Sequence, residues 1–189
     1  IFILTSIIIF PPLFREFFIL RIHGKSLTNL TLTPHKKVNI IFSSLVVSIF
    51  ESVILAIITG IIYLYITKMS FNLPSILFLL ICLVTFLFLI GNLFISVFLI
   101  FDTISIALLS AGVIYLFLIF GNGSIIETSF FPQVVSTILE ILPFSIPIKQ
   151  FQIFNSIGVI NFQSFLILIP LCYFWILFNA SLLKRKMFQ

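Results

Sequence analysis

Four long apolar runs follow one another along the chain, over 38–66, 74–100, 104–120 and 162–183. Each is close to or above the ~17–25 residues with which a helix crosses a bilayer. Thr33-Pro34 reads as the start of the first, because Thr supplies a capping oxygen and Pro fits the first helical turn, where its missing N–H costs nothing. Lys68 to Leu73 forms a short polar loop, Pro74 opens the second run, Asp102 marks a tight turn, and the third run ends in the flexible Gly121-Asn122-Gly123-Ser124. The pattern then changes. Over 125–158, Glu127, Pro132, Glu140, Pro143, Pro147 and Lys149 cut the apolar residues into pieces too short to cross alone. Two short helices are expected there, dipping into one leaflet or lying on it.

The chain opens on a shorter apolar stretch, 1–14, which reaches only ~21 Å as a helix and is expected to be the tail of a span that begins upstream. Segment 15–37 is too charged to cross. Its apolar residues Phe14, Phe17, Phe18 and Ile22, then Leu27 and Leu30, recur at helical spacing, so it can lie along the membrane surface. The fold expected for 1–189 is a single all-α domain. It is a polytopic transmembrane helix bundle with a cytoplasmic interfacial amphipathic helix and short external re-entrant helices.

Composition sharpens this picture. Hydrophobic residues make up 61% of the chain and charged residues 8%, with 26 Phe, whereas soluble domains carry roughly 25% charge. Such a chain cannot cover its own surface with polar groups in water. Ten basic residues stand against five acidic ones, and their placement sets the orientation. Arg15, Arg21, Lys25, Lys36 and Lys37, with Lys184, Arg185 and Lys186, hold all the cations except Lys68 and Lys149. Four complete spans put 15–37 and 184–189 on one face, which the positive-inside rule makes cytoplasmic, leaving 125–158 outside. The expected location is a bacterial plasma membrane or an organelle inner membrane. No basic groove with interleaved aromatics points to nucleic acid; membrane lipid is the evident partner.

Few residues invite chemistry. Cys82 and Cys172 lie in separate apolar runs with no Cys or His near them in sequence, so neither a disulfide framework nor a zinc site is indicated. His23 and His35 sit in the basic segment without an acidic or Cys partner and suit headgroup contact. His23-Gly24-Lys25-Ser26 has the end of a phosphate loop, yet Ile19 stands where the first glycine is required, so ATP must be bound elsewhere. Glu51 is the sharpest single residue: an ionised carboxylate in mid-span costs at least ~2.5–3.5 kcal/mol on insertion scales. It is expected to line a substrate path or make a helix contact, or else to be a protonated, interface-paired passenger. Asp102, Glu127 and Glu140 fall at helix ends, where solvated acids are ordinary. Asn122-Gly123-Ser124 matches a glycosylation acceptor, relevant only in a secretory pathway. No nucleophile–base pair or paired carboxylates appear, so an enzyme is not expected.

The order of parts resembles the permease subunit of type-2 ABC exporters. Arg15-Glu16, Gly24, Leu27, Leu30, Thr33-Pro34 and Lys36-Lys37 fall in the sequence seen before a span in that family. Phe131-Pro132 and Leu142-Pro143 are similar to its external signature of a short helix opened by Phe-Pro and closed by Leu-Pro. Lys25 and Ser26 replace its usual Gly-Thr continuation, and its first span with most of the second is missing. The resemblance implies a second permease half, as a homo- or heterodimer, and a separate cytoplasmic ATPase subunit. It implies ATPase coupling through Arg15, Glu16, Arg21, Gly24, Lys25 and Leu27, an external gate at Phe131, Pro132, Leu142 and Pro143, and no cofactor in this chain beyond the ATP held by its partner. The alternative is a non-catalytic structural subunit of a respiratory or synthase complex encoded by an organelle.

The charge asymmetry generates a topological prediction. Single cysteines at Ser26 and Gln189 should be protected from impermeant thiol reagents in intact cells, and one at Ser124 should be labelled. Labelling of Ser26 from outside would reverse the orientation.

Overall fold

The computed structural model describes residues 9, 11–13, 37–67, 72–101, 103–121, 130–160 and 162–187. Segment 14–36, with every expected coupling residue and both histidines, lies outside them, as do Asp102 and Glu127. Among the described residues the structure is all-helical: α1 (Lys37–Thr67), α2 (Leu73–Ile100), α3 (Ile104–Gly121), α4 (Gln133–Ile141), α5 (Ser145–Ile157) and α6 (Phe162–Met187).

The helix ends have local causes. Pro74 sits in the first turn of α2, where no backbone N–H is needed. Helix α4 stops before Leu142-Pro143, since a proline cannot continue the hydrogen-bond ladder. Helix α5 ends at Gly158, whose φ of 77° places it in the left-handed region while its N–H closes on Phe154 O at 2.8 Å. Pro170 lies inside α6 without ending it; a membrane helix tolerates the lost hydrogen bond when neighbours shield the freed carbonyl.

Three helices contain stretches long and apolar enough to cross a membrane, Lys37–Ile62, Leu73–Ile100 and Gln163–Arg185, which marks an integral membrane protein. The apolar part of α3, Ser105–Leu118, is shorter, and α4 and α5 form a bent pair whose axes differ by 94°. Helix α2 is the hub. It packs against α1, α3, α5 and α6, and its Phe86, Leu87, Leu89, Ile90, Phe94 and Ile95 are almost wholly shielded. By contrast, Ile61, Ile62, Tyr65 and Ile66 of α1 and Leu166, Ile167 and Ile169 of α6 are exposed. An apolar outer surface of this kind suits hydrocarbon as the solvent.

Contacts between α2 and α6 fix their relative direction. The Phe78 and Phe165 rings meet edge to face at 6.0 Å, and about four turns further along Asn92 is hydrogen-bonded to Asn179. The separation in sequence is 87 at Asn92–Asn179 and the same at the phenylalanine pair. A constant offset means that the two helices run parallel; an antiparallel pair would keep a constant sum. Two parallel spans require an odd number of crossings in the chain that joins them.

Helix α5 runs back along the first half of α6. Phe144 at its start is 6.0 Å from Trp175, Gln150 Nε2 donates to Ser164 Oγ at 3.1 Å, and Phe154 near its end is 4.6 Å from Phe78. The elbow between α4 and α5 therefore reaches well along the bundle, and the end of α5 returns to where α2 and α6 begin.

Close approach at Gly91 holds α1 to α2. A Cβ there would lie 2.6 Å from Leu45 Cδ2 and 3.4 Å from Ile9 Cδ1, and both side chains are fully buried. Small residues at such crossings let backbones approach where no water drives association. Gly91→Leu should therefore lower stability by about 1–3 kcal/mol through overpacking, read by denaturation in detergent micelles. Gly112→Leu, with nothing within 4 Å of its Cβ position, should be neutral. Equal effects of the two would show that the close approach contributes nothing.

Candidate functional site

Mid-helix polar groups in α2 and α6 meet face to face. Asn92, Ser96 and Asn179 are buried, with Trp175 partly buried beside them. Ser96 Oγ donates to Asn179 Oδ1 at 2.6 Å, with Asn92 O at 3.0 Å as a second acceptor, and itself accepts Trp175 Nε1–H at 2.8 Å. Asn179 Nδ2 donates to Asn92 O at 3.0 Å and to Asn92 Oδ1 at 3.2 Å. Asn92 Nδ2 closes the set on Phe88 O at 2.9 Å within its own helix. Each amide and hydroxyl is satisfied, which is the condition for a buried polar network to stabilise rather than cost.

This network connects to the elbow. The Trp175 indole gives its N–H to Ser96, and its ring meets that of Phe144 edge to face. Ser145, fully buried, donates its hydroxyl to Leu139 O at 2.7 Å, the carbonyl that Pro143 leaves without a helical partner, and its N–H to Leu142 O at 3.0 Å. Outside the elbow, Lys149 Nζ lies 3.2 Å from Glu140 Oε1 across the bend. Both ends are partly exposed, so this ion pair adds little beyond fixing the angle.

The residues expected to form an external gate are brought together only in part. Leu142 and Pro143 are half-buried at the elbow itself, whereas Phe131 and Pro132 stand at the far end of α4. Glu140, expected as a solvated acid, is exposed and paired with Lys149. Glu51 is half-buried on α1, on the helix face that carries Ser44 and Ser48. Both of those hydroxyls are buried without a hydrogen bond, while Ser52 Oγ donates to Ser48 O at 2.6 Å. Cys82 and Cys172 are not bonded to each other. Among the described residues no group of His, Cys, Asp and Glu is placed to hold a metal ion.

Sequence reasoning missed the amides. Asn92 and Asn179 are neutral and cost less in hydrocarbon than a carboxylate, so they stand out less from the sequence than Glu51 does. The available signal was one asparagine in the middle of each of two apolar runs, since buried amides in a membrane seek each other.

Removal of one partner should be measurable. Asn179→Leu strips Ser96 and Asn92 of their shared partner and should cost about 1–2 kcal/mol in micellar unfolding. Ser96→Ala should cost less but shift the emission of Trp175, the only tryptophan, to shorter wavelength, because its N–H loses an acceptor. Unchanged emission would mean that the indole does not bond to Ser96.

Comparison with known proteins finds no family model, no curated protein and no solved structure that matches the chain.

Proposed function

We propose that the chain is the membrane-spanning permease subunit of an ATP-driven exporter, powered by a separate cytoplasmic ATPase and working with a second permease half. The observation that carries this reading is the elbow. The helix that Phe131-Pro132 opens and Leu142-Pro143 closes turns into α5, which lies against the starts of α2 and α6. In this reading α3 supplies the single crossing between the parallel α2 and α6, and α4–α5 enters from the outer face and returns to it.

The amphipathic character of α4 supports that placement. Gln133, Ser136, Thr137 and Glu140 share one face, and Val134, Ile138 and Ile141 share the other and are exposed. Such a helix suits a boundary between polar and apolar surroundings. Joined through Trp175 to the α2–α6 network, the elbow is positioned to move with those helices and to close an outward path. On the cytoplasmic face, segment 15–37 is the surface on which an ATPase would push, and Glu51 is the candidate polar group of the path.

Two experiments test the reading. The purified chain should hydrolyse no ATP alone, and transport should appear only with an ATPase partner. Leu27→Pro, which disrupts a helix by ~3 kcal/mol locally, should then uncouple hydrolysis from transport while the spans remain inserted. Hydrolysis by the chain unaided, or an ATPase contact confined to 184–189, refutes the permease assignment. For Glu51, a role in the path requires that Glu51→Gln insert normally and transport differently. If Glu51→Gln and Glu51→Leu both transport normally, the residue is a passenger.

A further inference from the structure

We draw no further inference here: the strongest candidate, the row of Ser44, Ser48 and Glu51 along one face of α1, is a stripe of small residues beside a single carboxylate, and because its two unbonded serine hydroxyls are shielded on all sides, nothing in the structure shows a ligand that reaches them.

Discussion

The hydrogen bonds among Asn92, Ser96, Asn179 and Trp175 constrain everything else in this molecule. Between helices already in hydrocarbon, burial of apolar surface supplies little drive, because a lipid tail is as apolar as a leucine; close packing and interhelical hydrogen bonds remain. Here the bonds also carry direction. Two asparagines at fixed offset, with the Phe78–Phe165 ring contact at the same offset, admit one relative orientation of α2 and α6. Sliding either helix by a turn would strip Asn179 and Trp175 of their partners and leave Asn92 and Ser96 with only the carbonyls of their own helix.

That parallel arrangement limits the topology of the chain between α2 and α6. The intervening chain must cross an odd number of times, so α3 and the α4–α5 pair cannot both be full spans. The right-angle bend at Leu142-Pro143 is closed by the buried Ser145. Trp175 couples the two parts, since its N–H belongs to the polar network and its ring to the elbow.

The helices were legible in the sequence for plain reasons. Pro74 and Leu142-Pro143 are breaks that the backbone imposes irrespective of tertiary context, and apolar runs of span length have few other readings. Tertiary choices were less visible. Pro170 has the same local chemistry as Pro143 yet lies within a continuous helix, because a membrane helix can run through a proline that its surroundings accommodate. Glu51 stood out by its charge, but the interhelical bonds are made by neutral amides whose partner is 87 residues away, a distance over which periodicity carries no information. Phe131 and Pro132 share one sequence motif with Leu142 and Pro143, yet α4 separates the two pairs by its whole length.

The most direct test of this account is a pair of spin-label distances in lipid vesicles, in a background with Cys82 and Cys172 replaced by alanine. Labels at Leu77 and Leu166, both exposed beside the Phe78–Phe165 contact, should give a short distance. Labels at Leu77 and Lys184 should be separated along the bundle axis by the ~27 Å that eighteen helical residues rise. A long first distance with a short second would mean that α2 and α6 run antiparallel, and would contradict both the polar lock and the topology built on it.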